Sequence, residues 1–270
     1  MALRDRSELA KAKRVVVKVG SSSISGANES KIDALVSALA KAHSRGVEVV
    51  LVSSGAIATG LPLLGMDAKP DDLPTSQALA AVGQSRLISR YQQSLERFSI
   101  LAGQVLLTSG DLEGEDTREN AKQAMDRLVE LRVLPIVNEN DTVATQEIRF
   151  GDNDRLAALV AVLLRADALV LLSDVDALYD RPPTKPGAQK IDTVHFDQDL
   201  ESLEIGGSST AVGTGGAVTK VGAARVATEA GVSVLLTSTD LVSDALDGLM
   251  VGTWFEAKEL DETNSDTEDE

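Results

Sequence analysis

Lys18 stands inside an apolar run, VVVKVGSS, where an ammonium group is costly to bury unless something pairs with it. Lys220 closes GTGGAVTK (Gly213–Lys220), a glycine loop that runs into a helical pattern. Asp152, Asn153 and Asp154 crowd together directly before an apolar helix pattern, in a chain that is already strongly acidic. Lysines, close-approaching glycine backbone and free amides at helix starts are the parts that gather and neutralise phosphate charge. Each feature also has a plainer reading. Lys18 could face outward from an edge strand. SSGAIATG (Ser53–Gly60) could be ordinary strand-to-helix packing, and the glycine loop a connector. GTGGAVTK matches neither the P-loop spacing nor the dinucleotide fingerprint G-x-G-x-x-G.

The acidic cluster separates these readings best. An Asp or Asn at a helix start accepts backbone N–H bonds, and the helix dipole favours an acid there by roughly 0.3–1 kcal/mol. That accounts for one carboxylate, and less well for two beside a third at Asp141. A lysine about 4 Å from a carboxylate is worth roughly 4 kcal/mol at a surface-like effective dielectric. Asp154 is therefore expected to hold and orient lysines or a magnesium ion, with no need to act as a base.

These residues must be positioned by a scaffold, and the apolar periodicity describes one. Strands are expected at Arg14–Gly20, Val47–Ser53, Ile100–Thr108, Val133–Asn138, Ala168–Ser173 and Val232–Thr237. Helices are expected at Lys31–Arg45, Ser76–Phe98, Glu119–Leu131, Asp154–Arg165 and Gly216–Ala230. Val143–Phe150 reads as a short hairpin, and Asp244–Leu249 with Gly252–Glu256 as a closing pair of elements. Repeated β-α-β units with apolar strands imply a mostly parallel sheet covered on both faces. Ligands of such sheets gather at the carboxyl ends of the strands. Gly20–Ser23, Ser53–Gly55, Asn138–Asp141 and Ser173–Asp174 all fall there.

Composition narrows the function classes. Of 270 residues, 43% are hydrophobic and only 3% aromatic, so the core is built from Ala, Val, Leu and Ile. The net charge is −16, of which the last fifteen residues supply −7. An acidic body argues against nucleic-acid and anionic-membrane partners. There is no cysteine, which excludes disulfides, thiol catalysis and cysteine-based zinc sites, and His43 and His195 are the only histidines. The N-terminal stretch lacks an apolar signal core and no run is long enough to span a bilayer, so a cytoplasmic location is expected. Residues 257–270 read as an acidic, disordered tail.

VVVKVGSS, VLVSSGAIATG, AAVGQSRLI, PIVNENDTVAT, FGDNDRLAALVA, LLSDVDALYD and GTGGAVTK, in this order, resemble the glutamate 5-kinases of the amino-acid kinase superfamily. The resemblance runs from about Arg14 to Glu256. It implies a three-layer α/β/α sandwich with a mainly parallel central sheet, the amino-acid kinase fold. Its substrate-binding part would be residues 1–165 and its nucleotide-binding part 166–256. It implies transfer of the ATP γ-phosphoryl group to the side-chain carboxylate of L-glutamate, with Mg²⁺, as a step of proline biosynthesis. At the matching positions, Lys18 and Lys220 would stabilise the migrating phosphoryl group and Asp154 would organise both. Ser54, Asp141 and Asn153 would hold glutamate. Lys18, Ser173, Asp174 and the run Thr214, Gly215, Gly216, Ala217, Val218, Thr219 and Lys220 would contact the nucleotide. No residue is assigned as a metal ligand. A homo-oligomer, dimer or tetramer, is expected of the superfamily.

Two departures stand out. Many relatives carry a C-terminal PUA domain, which is not expected here because the sequence ends soon after GTWFE, and the loop reads GGAVTK in place of the commoner GGMSTK. Alternatives are a related kinase acting on acetylglutamate, aspartate, carbamate or UMP, and a catalytically silent amino-acid or nucleotide sensor.

Overall fold

The computed structural model describes residues 3–143, 153–198, 200 and 216–259. Its centre is an eight-stranded sheet. The strands are β1 (Arg14–Val19), β2 (Glu48–Ser53), β3 (Ala102–Leu107), β4 (Leu134–Glu139), β5 (Ala168–Ser173), β6 (Thr193–Val194), β7 (Ser233–Ser238) and β8 (Thr253–Phe255). Their spatial order is β3-β4-β2-β1-β5-β7-β8-β6. From β3 to β7 every pairing is parallel; β8 runs antiparallel to β7 and parallel to β6.

The helices are α1 (Lys31–Ser44), α2 (Ala56–Leu63), α3 (Leu73–Glu96), α4 (Ser109–Glu113), α5 (Glu115–Glu130), α6 (Asn153–Leu163), α7 (Ala217–Glu229) and α8 (Val242–Leu246). Alternate residues of each strand point to opposite faces. Val15, Val17, Val49, Leu51, Ile136 and Val170 join one core with α1, α3 and α8. Val16, Val50, Val52, Val137, Leu169 and Leu171 join the other with α5, α6 and α7. Burial on both faces is why β1, β2 and β5 read as near-continuous apolar runs.

Several boundaries depart from the sequence expectations for identifiable reasons. α3 begins at Leu73 rather than Ser76, because the Asp72 carboxylate accepts from Thr75 N–H at 2.8 Å and Pro74 favours the first turn. α5 starts at Glu115, and α4 precedes it, held by a reciprocal cap between Thr108 and Asp111. Asp244–Leu249 falls within the short helix α8 and the turn after it, while Gly252–Glu256 contains the strand β8. Arg6–Lys11 forms a 3-10 helix and Thr193–Val194 an edge strand, neither of which the apolar pattern announced. Of the expected hairpin, Val143 ends a 3-10 turn and the remainder lies outside the described residues.

α2 and α3 cross at glycine. A Cβ on Gly83 would lie 1.8 Å from the Ala56 carbonyl oxygen, and one on Gly60 would lie 2.2 Å from that of Leu79. Since Ser54 and Gly55 lead directly into α2, this crossing sets where that strand end sits. Gly83→Ala is expected to force the helices apart and destabilise the protein by about 1–3 kcal/mol, the usual cost of overpacking. Thermal unfolding measures it, and an unchanged melting temperature would show that the crossing has slack.

Candidate active site

The carboxyl ends of β4, β2, β1 and β5 lie side by side in a parallel array, so the polar residues that follow them converge on one edge of the sheet. Lys18 is the penultimate residue of β1, between Val52 of β2 and Leu171 of β5. That central position rules out the outward-facing edge reading, and Lys18 is 4% exposed. Its Nζ lies 2.6 Å from Asp154 Oδ1 in the first turn of α6. Lys220, in the first turn of α7, reaches the other oxygen, Asp154 Oδ2, at 3.1 Å. Thr219 donates its hydroxyl to the same oxygen at 2.9 Å.

Asp154 is fully buried. Burial alone would push its carboxyl up, but the Lys18 and Lys220 charges and the donated hydrogen bonds outweigh this and hold it below the usual carboxylate range. Taken by itself, the trio carries two positive charges and one negative. It is a preorganised cationic centre in a net acidic protein.

α7 starts beside this centre. Gly216 is its N-cap in extended conformation, Ala217 and Thr219 are half-buried, and Val218 is exposed. The same hydroxyl lies 3.0 Å from the Gly216 carbonyl oxygen, so its one proton is shared between that oxygen and Asp154. The first bond of the helix is from the Lys220 amide to the Gly216 carbonyl, so the amides of Ala217, Val218 and Thr219 before it lack helical partners, the arrangement that favours anions. Thr214, Gly215 and Asp152 lie outside the described residues.

A second polar group forms one strand away. Asn153 Nδ2 donates to Ser54 Oγ at 2.8 Å, to Asn138 Oδ1 at 3.1 Å and to the Ser53 carbonyl at 3.2 Å. Its Oδ1 is buried and has no hydrogen-bond partner among the described residues. A buried acceptor with no donor is costly and marks a place where a ligand can supply one. Gly55, at φ +99°, turns the chain from β2 into α2 in the left-handed region where a side chain would be strained.

Asp141 sits in the 3-10 turn after β4. Burial pushes its carboxyl up to about 6, although the charge of Lys69 pulls the other way. Ser173, buried at the end of β5, donates to the exposed Asp174 carboxylate at 3.2 Å. Thus Lys18, Asp154, Thr219 and Lys220 touch one another, as do Ser54 and Asn153. No such contact ties Asp141, Ser173 or Asp174 to either group among the described residues.

Sequence reasoning missed the layer beneath. Tyr91 is fully buried on α3, its hydroxyl 3.0 Å from Ser53 Oγ, and Gln84 two turns earlier contacts Asn138. Burial pushes the Tyr91 phenol well up, so it stays neutral. The signal was available: Gln84 interrupts the stripe Ala80, Leu87, Tyr91, where a buried polar residue requires partners. Among the described residues, no group of three or more His, Asp or Glu side chains could hold a metal ion.

The amino acid kinase family model matches residues 13–238. A glutamate 5-kinase of Clavibacter sepedonicus is 67% identical over 94% of this chain and 98% of its own length. One from Streptomyces avermitilis is 55% identical over 93% of this chain and 68% of its own. Among solved structures, a Giardia lamblia carbamate kinase bound to AMP-PNP has a TM-score of 0.65 at 20% identity, with 92% of this chain and all of that one aligned. An isopentenyl phosphate kinase has a TM-score of 0.61 at 16% identity, over 90% of this chain and 99% of that one. At those identities the structural likeness speaks for the fold alone. From the family match and the extent of its kinship with these relatives, the chain belongs to the amino acid kinase family and, within it, to the glutamate 5-kinases.

Proposed function

We propose that the chain transfers the γ-phosphoryl group of ATP to the side-chain carboxylate of L-glutamate at the edge of the sheet formed by β4, β2, β1 and β5. The observation that carries this reading is the pair of buried lysines sharing Asp154, beside a buried Asn153 amide oxygen that lacks a donor among the described residues. In the step itself a glutamate carboxylate oxygen bonds to the γ-phosphorus, the bond from phosphorus to the bridging oxygen breaks, and ADP leaves with that electron pair. The carboxylate is already ionised at about pH 7, so no general base is needed. The barrier lies in bringing two anions together, and Lys18 and Lys220 offset charge that spreads over the phosphoryl oxygens.

Asp154 holds both ammonium groups in place. Ser54, Asn153 and Asp141 hold glutamate, with the amide oxygen of Asn153 and the carboxylate of Asp141 facing its α-ammonium. Ser173, Asp174 and the run 214–220 hold the nucleotide. This assigns residues 1–165 to the acceptor and 166–256 to ATP. Both oxygens of Asp154 are engaged by lysines, so Mg²⁺ would enter with the nucleotide, where phosphate oxygens suit it as ligands. When bound it would screen phosphate charge. The enzyme works in the cytoplasm as a homo-oligomer.

Incubation with glutamate, MgATP and hydroxylamine tests the reading, because an acyl phosphate is trapped as a hydroxamate. Aspartate and acetylglutamate run in parallel. A faster reaction with acetylglutamate would overturn the assignment of free glutamate.

A pH profile follows from Asp141. Its carboxyl titrates near 6, so the free enzyme loses the charge that faces an ammonium as pH falls through that value. kcat/KM for glutamate is expected to drop about tenfold per pH unit below the inflection. Asp141→Asn should have a lower kcat/KM that lacks this inflection. An inflection that survives the substitution would place the titrating group elsewhere.

A further inference from the structure

We propose that Gln84, on α3 and outside contact with any reacting group, is a positioning residue that sets specificity for an amino acid over a plain dicarboxylate. The inference rests on the reading that glutamate binds at Asn153.

An amide side chain has one donating end and one accepting end, so its partners decide which way it faces. Gln84 is buried, and its Nε2 donates to the backbone carbonyl of Glu139 at 3.2 Å. A carbonyl can only accept, so this bond fixes the orientation of Gln84. Its Oε1 is thereby turned to accept from Asn138 Nδ2 at 3.3 Å, and from Gln104 Nε2 at 3.5 Å. The donor of Asn138 being so occupied, its Oδ1 faces the other way. There it accepts from Glu139 N–H at 2.9 Å and from Asn153 Nδ2 at 3.1 Å. Asn153 has then spent its donor end on Asn138, Ser54 and the Ser53 carbonyl. Its oxygen is the end left without a partner among the described residues.

The relay therefore runs from a fixed backbone carbonyl through Gln84 and Asn138 to the polarity of Asn153. A ligand that meets Asn153 must bring a donor there. The α-ammonium of an amino acid does so and the methylene of glutarate does not. A site that leaves a buried polar group unpaired rejects the analogue lacking the matching group. Gln84 also ties α3 to the end of β4, so its loss frees Asn138, which is 3% exposed and needs a partner for its donor.

The test is Gln84→Met, similar in size but without either hydrogen bond. Three quantities are read: KM for glutamate, KM for ATP, and the inhibition constant of glutarate competing with glutamate. Removing one buried partner is expected to raise KM for glutamate about tenfold, with kcat and KM for ATP held within about twofold. The ratio of the glutarate constant to the glutamate KM should fall by nearly the same factor, because only the ammonium-bearing ligand uses the Asn153 oxygen. Gln84→Glu keeps the acceptor for Asn138 and loses the donor to Glu139, so it should lie between the wild type and Gln84→Met. A purely structural role would weaken glutamate, glutarate and ATP together, and that result, or an unchanged ratio in both variants, overturns the relay. If the wild-type protein discriminates against glutarate while both variants keep that discrimination, the relay alone fails. If the wild type does not phosphorylate glutamate, the underlying reading fails instead.

Discussion

Replacing Lys220 by alanine is expected to lower kcat by about 10²–10³-fold, the cost of removing one preorganised donor that stabilises transition-state charge. KM for ATP should move far less. Lys220 is 6% exposed and its ammonium group is spent on Asp154 before any ligand arrives. A group held in that way contributes most where negative charge builds up during transfer, and less to a phosphate already neutralised in the ground state. Asp154 would keep Lys18 at 2.6 Å and the Thr219 hydroxyl at 2.9 Å, so its carboxylate is not stranded. The fold should survive with a loss of about 1–3 kcal/mol, the range for one unpaired buried partner. Steady-state kinetics with a parallel thermal melt separates the two effects. Full turnover in a folded Lys220→Ala would remove this lysine from the reaction.

Asp154→Asn should be the most damaging single change, and it divides the two explanations of the acidic cluster. If Asp154 served only as a helix cap, Asn would cap α6 about as well, and little would change. With the contacts observed, the change replaces the carboxylate that two buried ammonium groups share by a neutral amide. Breaking a buried ion pair costs about 3–5 kcal/mol, and here one carboxylate serves two cations. For a domain of this size that corresponds to a melting temperature lower by roughly 10 °C. Turnover should fall at least as far as in Lys220→Ala, because neither lysine keeps its place. Saturating ATP should close part of the stability gap, since its phosphates bring back negative charge and a ligand that binds the native state stabilises it. The gap should also close in acid. The Asp154 carboxyl is depressed from an ordinary value of 3.8, so its stabilisation is present above that pH and is lost as pH falls through the lower, folded value. A variant with wild-type stability at neutral pH would return Asp154 to the role of a cap.

The sheet was legible in the sequence because a strand buried on both faces is written as a near-continuous apolar run. β1, β2, β5 and β7 are such runs. Lys18 was legible for the opposite reason: it is a charge in a place that cannot tolerate one alone. Once the strands are parallel, their carboxyl ends share an edge, and the residues after β1, β2, β4 and β5 must meet there. What could not be read was direction and depth. The three residues of β8 do not reveal that they pair antiparallel to β7, because that choice is made by the chain around them. The start of α3 depended on Asp72 acting as a cap, and an aspartate in a polar loop gives no notice of which N–H it will accept from. Gln84 was hidden by its helix. Its importance comes from Asn138, which is 54 residues away in sequence, and no local pattern joins the two.

The central claim is that the Lys18–Asp154–Lys220 centre favours the phosphoryl group in flight over the phosphoryl group at rest. The direct measurement compares two affinities in the wild type and in Lys220→Ala: that of a non-hydrolysable ATP analogue, and that of ADP with aluminium fluoride and glutamate, which imitates the transferring group. The wild type should prefer the mimic by at least about 10²-fold, the lower bound usual for transition-state analogues. The variant should lose most of that preference while its affinity for the ATP analogue stays within about tenfold. Equal losses for both ligands, or a preference that survives intact without Lys220, would contradict the account.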